Sequence, residues 1–236
     1  MKLSLLVVLS ILLTACSSDD PEKIIEKDPD PLEGLPDKGA IRFDEPEIGQ
    51  RSHYIFFQAS RDFITKEITV KYLPDTLVLA IVGKESNTWV IKEFLTNSPK
   101  GGSWASVADE EIIRHLSIDN DSAYFSKPLN AYYFSFLFVG EARTIPLQPV
   151  TDPAPLNPDC LPIFGIESTI WTQYTIDYSQ HGQTFSHLND YFDYTPMATD
   201  GSGFMYAYGP SYGMVRWTWV SYWSPDEADG WDLIPN

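Results

Sequence analysis

The sequence predicts an all-β domain, an antiparallel sandwich or barrel with at most one short helix, preceded by a disordered linker. Short segments alternate between apolar and polar side chains, as half-buried strands do. Turn-forming residues separate these segments at the spacing typical of strands. The C-terminal third is aromatic, with Phe, Tyr and Trp at 17 of the last 73 positions, and aromatic residues favour strands.

Five segments before residue 140 have strand patterns. Residues 53–58 are aromatic and apolar, residues 68–72 alternate cleanly, and residues 132–139 form an apolar run. The runs at 76–82 and 88–95 flank a short polar loop. That arrangement predicts a β-hairpin.

One segment is predicted to be helical. Ile112, Ile113 and Leu116 fall on one face of a helix over residues 109–116. The segment spans only about two turns of helix. It accounts for the single short helix that the predicted fold allows.

A second hairpin is predicted near the C-terminus. Residues 204–208 and 214–223 flank a five-residue turn segment that contains one proline and two glycines. Successive side chains of a strand point to opposite faces. The side chains expected together on one face of the second strand are Trp217, Trp219 and Trp223.

This aromatic hairpin is the leading candidate for a binding surface. Aromatic rings stack on the C–H faces of sugars, yet each ring buries ~150–250 Å² and could equally fill a core. Arg216 is the only basic residue from Thr144 onward, and it either pairs with a carboxylate, lies over a ring or grips an anionic ligand. The candidate ligand-binding residues are Tyr206, Tyr208, Arg216, Trp217, Trp219 and Trp223. Polar candidates for binding hydroxyl groups are Gln183, Asn189, Asp190 and Asp193.

The domain is predicted to be single and to span residues 39–236. Six prolines lie in the 17 residues from 146 to 162, and proline cannot donate hydrogen bonds within a central strand. This stretch is either one long crossing within the domain, which we favour, or a boundary between two subdomains.

The N-terminus has the features of an exported, lipid-modified chain. The apolar run after Lys2 is about 11 residues, shorter than the ~20 that a membrane-spanning helix needs. It ends in Leu13-Thr14-Ala15-Cys16, which resembles the lipobox of bacterial lipoproteins. The resemblance implies a signal peptide over residues 1–15, cleavage before Cys16, and a diacylglycerol on the Cys16 sulfur with acylation of the new amino terminus. Two or more acyl chains make a stable membrane anchor.

Residues 16–38 are predicted to be a disordered spacer. They carry eight acidic residues and four prolines but few large apolar ones, so burial cannot offset the entropy of ordering. The segment Ser17-Ser18-Asp19-Asp20 resembles the acidic surface-export signal of Bacteroidota-type lipoproteins. We therefore expect an outer-membrane lipoprotein, at the cell surface or on the periplasmic face.

Charge and cysteine content narrow the possible partners. Residues 39–236 hold 25 acidic and 12 basic residues, a formal charge of −13, and a polyanion such as nucleic acid needs basic patches. We therefore expect no nucleic-acid binding. Once Cys16 carries lipid, Cys160 has no partner for an intramolecular disulfide and is expected to be inert.

No catalytic motif is present, and no cofactor or metal is predicted. The chain lacks Gly-x-Ser-x-Gly, His-Glu-x-x-His, a Walker-type loop and Gly-x-Gly-x-x-Gly. Asp226, Glu227 and Asp229 form a carboxylate cluster that we expect to be a solvated turn. The leading hypothesis is a lipid-anchored envelope module that binds a glycan or an envelope protein. The alternatives are a structural subunit of an outer-membrane protein assembly and a carboxylate-dependent hydrolase.

Overall fold

A computed structural model describes residues 32–62, 64–65, 67–130, 136, 142–148, 170–193, 202–221 and 224–235. These residues form eleven strands and one turn of 3₁₀-helix, Ala105–Val107. The strands are β1 (Arg51–Arg61), β2 (Ile68–Glu85), β3 (Thr88–Asn97), β4 (Glu111–Ile118), β5 (Ser122–Phe125), β6 (Arg143–Pro146), β7 (Ile170–Gln180), β8 (Gln183–Asp193), β9 (Ser202–Gly209), β10 (Gly213–Ser221) and β11 (Ser224–Ile234). The predicted all-β class is confirmed. Across the same residues, no helix has the length and apolar character needed to cross a membrane.

The strands form one antiparallel sheet in the order β6-β5-β4-β3-β2-β1-β11-β10-β9-β8-β7, curled into a half-barrel. The first and last strands of the chain pair at its centre, with Phe56 opposite Trp231. The two ends of the sheet approach each other. The contact between them is made by the buried Asn189 amide on β8, which donates to the carbonyl oxygens of Pro146 (3.4 Å) and Gln148 (3.2 Å). The architecture is therefore a single curled sheet whose ends are joined through side chains.

Both predicted hairpins form. The runs at 76–82 and 88–95 lie in β2 and β3, which are joined by a turn of only Ser86 and Asn87. The C-terminal hairpin pairs β9 with β10 around residues 210–212. The segments predicted at 68–72 and 76–82 are one strand, interrupted by a bulge opposite Phe56.

The predicted helix at 109–116 is wrong, because residues 111–118 form strand β4. Ile112, Arg114 and Leu116 are all fully buried and lie at alternate positions of this strand. The sequence hid this alternation because a charged residue occupies the middle interior position. Arg114 is tolerated there because it forms an ion pair with the buried Glu93 of β3, with 2.5 Å between Nε and Oε1.

Aromatic rings fill much of the interior of the half-barrel. The Trp231 ring lies 5.0 Å from that of Phe56 and 5.5 Å from that of Trp104, and Trp104 lies 5.7 Å from Phe136. Trp104 comes from the loop between β3 and β4, so this loop packs its largest side chain into the sheet interior. Tilted and edge-on rings at these separations add to the area they bury.

The folded unit that contains the sheet begins at Gly34. The Lys38 amide donates to the Gly49 carbonyl oxygen over 3.2 Å, and the Arg51 guanidinium donates to the Leu35 carbonyl oxygen. Chain that we assigned to the linker thus joins the fold a few residues before residue 39. The strand predicted at 132–139 and the proline-rich stretch at 146–162 lie mostly outside the described residues.

Candidate functional site

Three of the aromatic residues predicted to bind a ligand belong to the core. Tyr206, Tyr208 and Trp217 are 1%, 0% and 3% exposed, so they cannot form a surface platform. Their strand faces are nevertheless as predicted, because Trp217 pairs directly with Tyr206 on β9 and with Trp231 on β11. Burial raises the pKa of the Tyr208 hydroxyl, as expected of a phenol inside a core.

Arg216 has a structural role on the opposite face of the sheet. Its guanidinium donates two hydrogen bonds to the buried carboxylate of Asp232 and lies 4.8 Å from the centre of the Phe57 ring. The Tyr72 hydroxyl donates to the same carboxylate over 2.9 Å. Burial and the Asp232 charge raise the pKa of Tyr72 to about 12. Of the sequence alternatives for Arg216, carboxylate pairing and ring contact are both found.

The other residues singled out from the sequence lie in different parts of the molecule. Asn189 joins the ends of the sheet, as described above. Trp223, Cys16 and Cys160 lie outside the described residues. Trp219 is half-buried and, among the predicted ligand-binding residues that the structure describes, it is the one that lines the cleft over β10, β11, β1 and β2.

The cleft lies over strands β10, β11, β1 and β2 and has a volume of about 600 Å³. One row of its floor runs from Trp219 to Asp229, Gln58 and Lys71, each directly opposite the next in the strand register. The side chains of the second row come from Glu227, Ser60 and Thr69, which are also directly paired. Both rows share the sheet face that carries Trp217, Trp231 and Phe56. The residues of the rows on β10, β11 and β1 are two or four positions away from these three aromatic residues, and alternate residues of a strand point to the same face. The apolar interior of the half-barrel therefore passes into a polar cleft at this end of the sheet.

Asp229 lies near the centre of this polar floor. Burial raises the pKa of its carboxyl group, a hydrogen bond with the Gln58 side chain opposes that rise, and the nearby charge of Glu227 adds to it. The carboxylate and the Gln58 amide hold each other in place, so both groups are oriented before any ligand arrives. Pre-oriented polar groups lose less entropy when a ligand binds.

The dimensions of the floor suit an extended ligand. Neighbouring strands lie ~4.8 Å apart, so Trp219 and Lys71 are separated by roughly 14 Å across the strands. The half-buried indole stands at one end and the exposed amine at the other. Between them, the cleft offers carboxylate, amide and hydroxyl groups, which together can donate and accept hydrogen bonds.

Sequence reasoning missed the acidic half of this site. Glu227 and Asp229 were expected in a solvated turn, but both lie within strand β11. The signal was present: Glu227, Asp229 and Trp231 alternate with the small residues Ala228 and Gly230. Gly230 has to be small, because an added Cβ would lie 2.3 Å from the Trp217 carbonyl oxygen and 2.6 Å from the Phe57 ring.

Metal binding is not indicated in the described part of the chain. Among those residues, no group of three or more His, Cys, Asp or Glu side chains could hold a metal ion. The acidic segment Asp119-Asn120-Asp121 forms a turn, in which an Asp119 carboxylate oxygen accepts from the amides of Asp121 (2.8 Å) and Ser122 (2.6 Å).

Comparison with known proteins assigns no family to the chain. No family model matches it. No curated protein matches it at a significant level. Among solved structures, it has some similarity to a domain of Vibrio parahaemolyticus that is provisionally described as an outer membrane lipoprotein-sorting protein. That match has 6% sequence identity and a TM-score of 0.18, and it covers 78% of this chain and 83% of the other. A TM-score this low does not establish a shared fold.

Proposed function

We propose that the domain is a binding module for a glycan, which lies in the cleft with a sugar ring against Trp219. The observation that carries the proposal is the direct register of a half-buried tryptophan with a row of polar side chains, Asp229, Gln58 and Lys71. An indole face offers contact with the C–H groups of a sugar, and neighbouring polar side chains orient its hydroxyls.

A binding titration with a matched variant tests the proposal. The full chain carrying Cys16→Ser, which removes the lipid attachment point, is titrated with a panel of oligosaccharides by calorimetry. Replacing a stacked aromatic with alanine at a binding hot spot costs about 2 kcal/mol or more, roughly thirtyfold in Kd. We therefore expect Trp219→Ala to weaken binding by at least that factor.

Trp89→Ala is the matched control. Trp89 is also a partly buried strand tryptophan, but it lies on β3 with the Lys84 amine 4.2 Å from its ring centre, away from the cleft. This variant should keep the affinity of the parent chain. Equal losses in the two variants, or binding that survives Trp219→Ala, would count against the cleft as the glycan site.

A second candidate, a carboxylate-dependent hydrolase, is favoured by the position of Glu227 and Asp229. The two carboxylates are on the same face of one strand, where alternate residues are ~7 Å apart, and the pKa of Asp229 is raised. Glycosidases pair carboxylates at ~5–9.5 Å, and a raised pKa suits a general acid. Release of new reducing ends, lost in Asp229→Asn but kept in the exposed control Glu110→Gln, would establish hydrolysis.

We also propose that the chain is anchored to the outer membrane through lipid on Cys16. The support is the sequence alone: the lipobox-like Leu13-Thr14-Ala15-Cys16 and the apolar run before it. In cells fed an alkyne-bearing fatty acid, the parent chain should take up the label and Cys16→Ala should not. Digestion of intact cells by an added protease then separates surface exposure from the periplasmic face.

A further inference from the structure

We infer that the Trp219 end of the cleft selects sugars by charge: it accepts a ring that carries hydroxyl or amino groups and rejects one that carries carboxylate or sulfate. The inference rests on the proposed function and adds the chemical class of the ligand. The strand register determines which side chains contact a sugar ring that stacks on Trp219.

The nearest polar neighbour of Trp219 is a carboxylate. Trp219 and Asp229 are direct partners across β10 and β11, and both side chains line the cleft. Directly opposed side chains on one face have Cβ atoms ~4.5–5.5 Å apart. A sugar that covers the indole therefore brings the substituents on its β11 side to Asp229.

A second carboxylate strengthens the negative charge at this end. Glu227 lies two residues before Asp229 on the same face of β11, which places it ~7 Å along the strand. Its charge is close enough to contribute to the raised pKa of Asp229. The two groups together make the β11 side of Trp219 negative, while on the β9 side the Arg143 guanidinium lies 5.2 Å from the ring centre of Phe204, the direct partner of Trp219.

The basic residue of the cleft is too far away to balance them. Lys71 is three strands from Trp219, or roughly 14 Å at the usual strand spacing. Exposed charges are largely screened beyond the Debye length, ~8 Å at physiological ionic strength. Lys71 therefore contacts the other end of an extended ligand and does not neutralise Asp229 and Glu227.

Hydrogen bonding acts in the same direction as charge. An ionised carboxylate only accepts hydrogen bonds, so Asp229 needs a donor from the ligand. A hydroxyl or an ammonium group supplies that donor, whereas a sugar carboxylate or sulfate supplies none and repels the charge. Gln58 adds an amide to the floor; one N–H of this amide serves Asp229, which leaves a second N–H and the carbonyl oxygen for a ligand.

Three β-linked glucan oligosaccharides of equal length test the inference. One is neutral, one carries an amine on each ring, and one has its primary hydroxyls oxidised to carboxylates. They are titrated into the full chain carrying Cys16→Ser. Because like charges brought together cost several kcal/mol at an interface, we expect the anionic oligosaccharide to bind at least about tenfold more weakly than the neutral one. The amine-bearing oligosaccharide should bind at least as tightly as the neutral one.

Two isosteric variants assign the selection to its residues. The double variant Glu227→Gln/Asp229→Asn should reduce the difference between anionic and neutral oligosaccharides to within about threefold, because the amides keep a similar shape without the charges. Lys71→Met should keep the neutral oligosaccharide ahead of the anionic one, because it removes an attraction for sugar carboxylates at the other end of the cleft. Ordinary unfolding transitions in both variants show that the fold is intact.

The outcomes separate this inference from the proposed function. If the neutral and anionic oligosaccharides bind equally and both lose affinity in Trp219→Ala, glycan binding stands and charge selection is overturned. Selection that persists in the double variant Glu227→Gln/Asp229→Asn, or that disappears in Lys71→Met, also overturns it. If none of the three binds and no other sugar does, the proposed function and this inference fall together.

Discussion

Removing one partner of the buried ion pair should destabilise the domain strongly. Glu93 and Arg114 are both fully buried at interior positions of β3 and β4. Arg114 also donates to the Ser126 carbonyl oxygen over 2.7 Å, and Glu93 accepts from the Phe136 amide over 3.1 Å. Arg114→Met keeps a similar volume but removes the cation beside the buried Glu93 carboxylate, which costs about 3–5 kcal/mol. For a domain of this size that lowers Tm by roughly 6–20 °C.

The assay is chemical unfolding followed by circular dichroism, with two comparison variants. Lys92→Met removes a partly exposed ion pair with Glu111 (2.9 Å) between the same two strands and should cost no more than about 1 kcal/mol. The double variant Glu93→Gln/Arg114→Met removes both charges and leaves an acceptor for the Phe136 amide, so it should regain much of the lost stability. If Arg114→Met costs no more than Lys92→Met, the interior pair does not have the role assigned to it.

Two further predictions concern strand β11, which contains Gly230 and Asp229. Gly230→Ala should prevent folding or destabilise the folded domain severely, because the new methyl group would lie 2.3 Å from the Trp217 carbonyl oxygen and would also clash with the Phe57 ring. An unfolding transition close to that of the parent chain would show that β10 and β11 pair differently. The raised pKa of Asp229 means that the folded state holds its proton more tightly than the unfolded state. The protonated Asp229 side chain therefore stabilises the fold fully below the ordinary pKa of ~3.9, and this contribution is lost as the pH rises through the raised pKa. Asp229→Asn should consequently match the parent Tm near pH 4 and exceed it near pH 7, and a constant difference across that range would show that burial does not perturb this group.

Local pattern was sufficient for strands β1, β2, β3, β9 and β10 but not for the charged interior. The alternation at 68–72 and the two hairpins follow from side-chain periodicity, which depends on neighbours in sequence. The helix predicted at 109–116 failed because Arg114 faces the interior, and its partner Glu93 lies on the preceding strand. Hydrophobic patterning treats a buried charge as a surface residue, so it misreads any strand that contains one.

The cleft could not be assembled from local pattern, because its floor joins distant parts of the chain. Gln58 and Asp229 are direct partners across β1 and β11, the first and last strands. The β1–β11 register depends on which side chains of the two strands are buried together, and that pairing joins segments too far apart for local pattern to detect. Tyr206 and Trp217 illustrate the other half of the difficulty: their strand faces could be predicted, but the face that becomes buried depends on the closure of the sheet.

The position of the ligand against Trp219 is the central claim, and indole N–H resonances test it most directly. The chain has seven tryptophans, and loss of one peak in Trp219→Phe assigns the resonance of that side chain. On titration with the neutral oligosaccharide, the Trp219 peak should shift, while the peaks of the buried Trp217 and Trp231 stay in place. A titration that moves the Trp89 peak and leaves that of Trp219 unchanged would contradict the account and place the ligand elsewhere on the sheet.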